Sequence, residues 1–192
     1  MPAADASRGR FYPSGVVYSQ RRMKRPTHLL LQATAAVLCL LVLPSAAASQ
    51  EVVFLTRHAE RADQSSDSLL SSAGKIRAKR LAEILKDGKI TQIFTSEKKR
   101  TILTAAPLAT ALHLQPTQVP ANDIDALLAQ VRAAGPHDRL LIVGHSDTVP
   151  EIMTRLGVPP PPIGIPDTEF NNLFMLIPQA SGPARLVRLR FN

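Results

Sequence analysis

Two short apolar segments, each followed at once by a histidine, constrain the fold of this chain most strongly. Residues 52–56 (Val-Val-Phe-Leu-Thr) lead into Arg57-His58, and residues 140–144 (Leu-Leu-Ile-Val-Gly) lead into His145. Near-continuous apolar strands are typical of a parallel sheet that helices cover on both faces. Ligand sites in such sheets lie beyond the carboxyl ends of the strands, so both histidines are expected at one sheet edge. An arginine and two histidines at that edge suit phosphate chemistry.

The first 48 residues have the pattern of a secretory leader. Residues 26–50 contain no charged side chain, and Leu29 to Leu43 is almost wholly apolar. Basic residues precede this run, and small residues up to Ala48 follow it, so we expect cleavage after Ala48 and export to the periplasm or beyond. An uncleaved anchor is the alternative. It is disfavoured because the run has 15 residues, whereas a membrane span needs about 20.

Removal of the leader changes what the composition implies. Translation could start at Met1 or at Met23, because residues 1–22 look like an extension of an ordinary signal. Of the 23 basic and 15 acidic residues, six and one lie in residues 1–48, so the mature part carries +3 rather than +8. This charge gives no argument for nucleic acid binding. The only cysteine, Cys39, lies in the leader. Residues 49–192 are therefore expected to form one domain without disulfides.

Strands and helices alternate along residues 49–192. We predict four helices: 71–86, capped by Ser71 or Ser72; 96–112, capped by Ser96; 122–133, capped by Asn122 or Asp123; and 148–156. Further strands are predicted over 90–95, 172–177 and 184–191. Pro107 predicts a kink or restart in the second helix. The five prolines of Val158 to Pro166 predict an irregular segment. The order predicts an α/β fold, a three-layer α/β/α sandwich with a mostly parallel central sheet and a hairpin of the last two strands at one edge.

Arginines near the predicted sheet edge could bind a phosphomonoester. The planar guanidinium bonds two phosphate oxygens and keeps its charge. Arg57 ends the first strand, and Arg100 lies early in the helix after the second. Arg61 could supply a third guanidinium or pair with Asp63 or Glu60 on the surface. A histidine among such cations has a lowered pKa, and its unprotonated nitrogen can attack phosphorus. We assign the attack to His58 and stabilisation of the developing charge to His145.

Four motifs together resemble the histidine phosphatase superfamily, with its phosphoglycerate mutase-like fold. They are Arg57-His58-Ala59-Glu60, Leu70-Ser71-Ser72-Ala73-Gly74, Thr95 to Thr101 with Thr104, and Gly144-His145-Ser146. The resemblance implies that His58 becomes a phosphohistidine and that Arg57, Arg100 and His145 complete the phosphate pocket. It implies no metal and no organic cofactor. The run Gly144 to Glu151 is similar to an exported bacterial subgroup that includes lipopolysaccharide core heptose phosphatases.

The proton donor is where the chain departs from the family pattern. Ser146 stands where one branch has an aspartate, and Asp147 comes one residue later; the stretch that would hold the mutase glutamate, Pro120 to Asp125, offers only aspartates. Ala59 also replaces the usual glycine. We rank Glu60 as the first candidate donor and Asp147 as the second.

Three functions remain open at this stage. The first is an exported phosphomonoesterase acting on a small phosphorylated substrate, such as a sugar phosphate or a lipopolysaccharide phosphate. The second is a phosphomutase, and the third is a non-catalytic module that binds phosphorylated glycans or proteins. A metal site is disfavoured, because no histidine pair has i,i+4 spacing and the mature part has no cysteine.

Overall fold

The computed structural model describes residues 51–160 and 163–192. The expected signal segment, its cleavage after Ala48 and the choice between Met1 and Met23 all lie outside these residues, as do two of the prolines in the 158–166 segment. Within the described ranges, no helix combines the length and the apolar character that crossing a bilayer requires.

A mixed sheet forms the centre of the domain, with six strands among the described residues. The strands are β1 (Val52–Arg57), β2 (Gln92–Thr95), β3 (Thr117–Gln118), β4 (Arg139–Gly144), β5 (Asn172–Ile177) and β6 (Arg185–Arg190). Their order across the sheet is β3-β2-β4-β1-β5-β6. The first four of that order run parallel, and β5 and β6 are antiparallel additions. The predicted terminal hairpin at one edge is thus confirmed.

Four described helices cover the two faces of this sheet. They are α1 (Ser72–Leu85), α2 (Lys99–Leu112), α3 (Ile124–Ala133) and α4 (Thr148–Arg155). Side chains alternate along a strand, and β1 shows the result: Val52 and Phe54 pack with α1 and α2, whereas Val53 and Leu55 pack with α3 and α4. The continuous apolar runs therefore serve two separate cores. The predicted three-layer α/β/α sandwich is confirmed.

Local sequence signals explain where two of the helices begin. The Ser71 hydroxyl accepts a hydrogen bond from the Gly74 N–H at the start of α1, and the Asp123 carboxylate accepts one from the Ala126 N–H at the start of α3. Both side chains satisfy N–H groups that a helix leaves unpaired at its first turn. The predicted starts of these two helices are confirmed.

The second helix differs from its prediction at two points. It begins at Lys99 rather than Ser96, and it runs without a restart through Pro107. Ser96 does not cap the helix because its hydroxyl is used in the site described below. Proline removes one hydrogen bond, and burial of Ala105, Leu108 and Ala109 against the sheet keeps the helix in place. The two-residue β3 was also not predicted, since so short a segment has no readable alternation.

Candidate functional site

Strand register brings the two histidines together. In the parallel pairing of β1 and β4, Arg57 lies opposite Gly144. The next residues are therefore neighbours, and the His58 N–H donates to the Gly144 carbonyl over 2.9 Å. The ring centroids of His58 and His145 are 5.4 Å apart with the planes inclined by 62°. Both side chains thus lie at the carboxyl edge of the sheet, as the sequence predicted.

His58 is held in one tautomer. Its Nδ1 lies 2.8 Å from the carbonyl oxygen of Ala59. A carbonyl oxygen can only accept, so Nδ1 carries the proton and Nε2 has a free lone pair when the ring is neutral. Burial, followed by the charges of His145, Arg57 and Arg100, lowers the pKa of His58 to about 3, against the opposing effect of the Ala59 hydrogen bond. The ring is therefore neutral near pH 7 and can act as a nucleophile.

A hydroxyl chain orients His145. Its Nδ1 lies 3.4 Å from Nη2 of Arg100, which can only donate, so in the neutral ring Nε2 carries the proton. That Nε2 donates to the Ser96 hydroxyl over 3.0 Å. Ser96 bonds in turn to the Thr101 hydroxyl at 2.9 Å, which donates to the Lys98 carbonyl at 2.8 Å. Burial, and then the charge of Arg100, lowers the pKa of His145 to about 4.

Arg57 is fixed at the floor of the site by the turn before β5. Its Nη1 donates to the Pro166 carbonyl over 3.0 Å and its Nη2 to the Asp167 carboxylate over 3.3 Å. The guanidinium carbon lies 4.3 Å from the centre of the Phe170 ring, a cation–π distance. Arg57 is buried. Burial lowers its pKa, with Asp167 opposing, yet a guanidinium keeps its charge at neutral pH.

Arg100 and Arg61 complete the basic lining. Arg100 lies at the second position of α2, where its Nη1 donates to the Ser66 carbonyl over 2.7 Å. Arg61 bonds to the exposed Gln64 side chain over 2.6 Å, so it pairs with neither acid considered from the sequence. Both arginines line the same cleft as Arg57.

These side chains surround an open cleft of about 460 Å³ at the carboxyl edge of the sheet. Apart from Ala121, every lining residue has a polar or charged side chain; the lining consists of Arg57, His58, Arg61, Arg100, Ala121, Asn122, His145, Ser146, Asp147, Thr148 and Asp167. Six of the seven predicted site residues therefore share one cleft, and Asp167 adds a second carboxylate beside that of Asp147. The volume exceeds that of a phosphate group, which leaves space for the rest of a substrate.

Glu60, the first-ranked proton donor, does not line the cleft. Both of its carboxylate oxygens accept from Arg77, with Nε at 2.9 and 3.0 Å and Nη2 at 2.7 Å. Burial raises the pKa of Glu60, but the hydrogen bonds and charge of Arg77 outweigh it and leave the pKa lowered. A carboxylate paired in this way is poorly suited to carry a transferable proton. The ranking of Glu60 above Asp147 is corrected on this geometry.

Asp147 lies in the cleft lining instead. Its carboxylate accepts from the Thr148 N–H over 2.8 Å at the start of α4. This hydrogen bond turns the side chain back over the helix end, beside His145. Backbone alternation continued beyond β4 would give the opposite direction. Alternation failed here because the residue sits in a turn between strand and helix rather than in a strand.

Sequence reasoning missed several residues of the site. Asp167 and Phe170 come from the turn after the proline-rich segment, and the sequence pattern predicts for Ser96 only the role of a helix cap. An acidic residue after a proline, as in Pro166-Asp167, is too common a turn signal to mark a site. Among the described residues, no group of three or more histidine, cysteine or acidic side chains is arranged to hold a metal ion.

The fold and the cleft agree with the resemblance seen in the sequence motifs. The three-layer sandwich, with two histidines and flanking arginines at the ends of its parallel strands, has the phosphoglycerate mutase-like fold. Residues 53–122 match the model of the histidine phosphatase superfamily (branch 1). This match contains His58 and Arg100 and ends before His145. Over these residues the chain is similar to the histidine phosphatase superfamily.

Solved structures show the same fold at low sequence identity. Mycobacterial glucosyl-3-phosphoglycerate phosphatase is 16% identical with a TM-score of 0.57, over 74% of this chain and 98% of that one. The protein histidine phosphatase SixA, solved with tungstate, is 20% identical with a TM-score of 0.56, over 72% of this chain and 96% of that one. No curated protein sequence matches the chain significantly.

Proposed function

We propose that this chain is an exported phosphomonoesterase that works through a phosphohistidine on His58. The observation that carries the proposal is the fixed tautomer of His58, whose free Nε2 lies in a cleft with three arginines. A nucleophile of this kind splits a difficult hydrolysis into two easier transfers. Export is proposed from the signal-like composition of residues 26–48.

In the first step the Nε2 lone pair of His58 forms a bond to phosphorus while the ester P–O bond breaks. The departing oxygen takes a proton from Asp147, which enters the step in its protonated form. Arg57, Arg61 and Arg100 bind the equatorial oxygens, where charge is concentrated. The negative charge of the bound phosphate group favours protonation of the His145 ring. Its Nδ1 can then donate a hydrogen bond to one of these oxygens.

In the second step water replaces the leaving group. The Asp147 carboxylate removes a proton from water, the water oxygen bonds to phosphorus, and the P–N bond to His58 breaks. Inorganic phosphate and the neutral imidazole are regenerated, and Asp147 is again protonated. The positive charge that the reaction needs comes from the arginines, so we propose that no metal takes part.

Two buried arginine nitrogens support oxyanion binding. The Nε atoms of Arg57 and Arg100 are buried, and neither has a hydrogen-bond partner within the described residues. A buried donor without a partner costs about 1–3 kcal/mol, which a bound oxyanion could recover. Relatives of this fold bind such ions: the glucosyl-3-phosphoglycerate phosphatase has been solved with inorganic phosphate, and SixA with tungstate.

The polar lining favours a hydroxylated substrate. Beyond the arginines and histidines, the cleft presents the Asn122 amide, the Ser146 hydroxyl and two carboxylates, with Ala121 as its small apolar contribution. Such groups pair with sugar hydroxyls. We therefore propose a sugar phosphate, including the phosphorylated sugars of a lipopolysaccharide core, as the substrate class.

Trapping the intermediate tests the proposal directly. The chain from residue 49 is incubated briefly with a 32P-labelled phosphate ester and quenched in alkali, in which phosphohistidine survives. We expect one labelled site that maps to His58 and is lost in His58→Ala, together with release of p-nitrophenol from its phosphate by the unchanged chain only. A folded chain that binds phosphate but never labels would be a binding module, and the proposal would then be rejected.

A further inference from the structure

Asp167 places a carboxylate at the mouth of the cleft. Its Oδ1 accepts from Nη2 of Arg57 over 3.3 Å and from the Ser146 hydroxyl over 3.1 Å. The Asp167 side chain is 88% exposed, whereas that of Arg57 is 6% exposed. The carboxylate is thus anchored to the buried floor but faces solvent. Nothing in the proposed mechanism so far uses it.

The mouth of the cleft is where the leaving group must lie. In-line attack by Nε2 of His58 places the ester oxygen on the far side of phosphorus. Because His58, His145 and Arg57 are buried at the floor, the remainder of the substrate extends outward. It therefore meets the exposed residues Asn122, Asp147 and Asp167.

Charge is divided along the depth of the cleft. The described lining contains three arginines, of which Arg57 is buried and Arg61 and Arg100 are partly buried, and its only carboxylates belong to the exposed Asp147 and Asp167. The floor of the cleft thus attracts the phosphate group, and the mouth presents hydrogen-bond acceptors to the leaving group of the ester. A substrate with a second anionic group would place that group beside the Asp167 carboxylate.

We infer, on the basis of the proposed function, that Asp167 is a specificity-determining residue that favours polyol phosphates and rejects phosphate esters bearing a carboxylate. Hydroxyl groups of the leaving group donate to the free lone pairs of Asp167. A carboxylate at the same place gains no hydrogen bond and is repelled. When phosphate occupies the floor, the charge of Arg57 is shared with it, so Arg57 no longer fully compensates Asp167.

A matched pair of substrates isolates this effect. Glycerol 1-phosphate and 3-phosphoglycerate share a three-carbon skeleton and differ in a hydroxymethyl group against a carboxylate. Two like charges about 5 Å apart at the edge of a protein repel strongly enough to change kcat/KM roughly tenfold or more. We expect the unchanged chain to prefer glycerol 1-phosphate by at least that factor.

Asp167→Asn is the informative variant because it keeps the shape and the Oδ1 acceptor for Arg57 and Ser146 while removing the charge. We expect the preference ratio to fall roughly three- to tenfold, chiefly through faster turnover of 3-phosphoglycerate. Asp87→Asn is the control, since Asp87 is exposed beyond the end of α1 and does not line the cleft. It makes the same change in net charge and should leave the ratio unaltered.

Each outcome decides between the inference and its rivals. An unchanged ratio in Asp167→Asn, or an equal rise in KM for both substrates, would mean that Asp167 only positions Arg57, and the inference would be rejected. A salt-insensitive ratio in the unchanged chain would also count against it, because exposed charges are screened. Failure of the proposed function is separately visible, since the unchanged chain would then hydrolyse neither ester nor p-nitrophenyl phosphate.

Discussion

The Nδ1 atom of His58 donates a hydrogen bond to the carbonyl oxygen of its own neighbour, Ala59, over 2.8 Å. This contact needs no distant partner, so the tautomer is set by the turn that ends β1. The neighbouring Ala59 N–H is held by the Thr104 hydroxyl of α2 over 2.9 Å. The turn is therefore fixed from both sides, and the free Nε2 faces the cleft.

The histidines make folding stability depend on pH. Burial, with nearby cations, lowers the pKa of His58 from 6.5 to about 3 and that of His145 from 6.5 to about 4. Below pH 6.5 the unfolded chain takes up protons that the folded chain does not, so stability present above pH 6.5 is lost as the pH falls. Each histidine contributes about 1.4 kcal/mol per pH unit to the slope of the unfolding free energy against pH. Urea unfolding between pH 7 and pH 5 measures this slope, and we expect it to be smaller for His58→Gln than for the unchanged chain.

His137→Gln is the control for this experiment, because His137 lies in an exposed turn. It should leave the slope close to that of the unchanged chain. Equal slopes for His58→Gln and His137→Gln would show that His58 titrates normally in the folded protein.

The two candidate carboxylates can be separated by their dependence on the leaving group. A general acid contributes about 10²- to 10⁴-fold where the leaving oxygen needs a proton, and much less for p-nitrophenol. Asp147→Asn should therefore lower kcat/KM about 100-fold or more for glycerol 2-phosphate and only a few-fold for p-nitrophenyl phosphate. Steady-state kinetics on the two esters checks this. Equal losses on both would remove Asp147 from the role.

Glu60→Gln serves as the comparison and has its own expected result. The Glu60 and Arg77 side chains are 21% and 22% exposed, so loss of the charge weakens a largely shielded pair. We expect unfolding free energy to fall by about 1–3 kcal/mol, with equal effects on both esters. A selective loss on the glycerol ester would return Glu60 to the catalytic role.

Ser96 is expected to position His145 without touching substrate. Ser96→Ala removes the acceptor for Nε2 of His145, at 3.0 Å. We expect kcat to fall roughly ten- to hundredfold, because small misplacements of a catalytic group cost about this much, with little change in KM. The 15N shifts of His145 should also move toward a mixture of tautomers. Ser72→Ala, at an exposed serine of α1, should change neither quantity.

Gly74 allows α1 to approach the turn that carries Glu60. A Cβ added there would lie 2.3 Å from the Glu60 carbonyl oxygen, which is backbone and cannot turn aside. Gly74→Ala should therefore lower the free energy of unfolding by about 1–3 kcal/mol, measured by urea denaturation. At Gly164 an added Cβ meets nothing within 4 Å, so Gly164→Ala should be neutral or slightly stabilising. Similar losses for both variants would refute the steric explanation.

The sequence alone determined the parts of this protein that depend on local pattern. Apolar runs ending in His58 and His145 fixed two buried parallel strands, and since parallel strands end at one edge, the two histidines had to meet there. Side chains such as Ser71 and Asp123 marked helix starts, because a cap needs only the next turn of the chain.

Only the tertiary structure decided which acids belong to the site. Glu60 is hydrogen-bonded to Arg77, 17 residues along the chain, and lies outside the cleft lining. Asp167 bonds to Arg57, which is 110 residues away in the sequence. Neither pairing leaves a local signal in the sequence, because the cation that pairs with a carboxylate depends on how the loops pack around the sheet. The position of the nucleophile follows from strand periodicity. The surroundings of the leaving group follow from long-range contacts between turns, which periodicity does not encode.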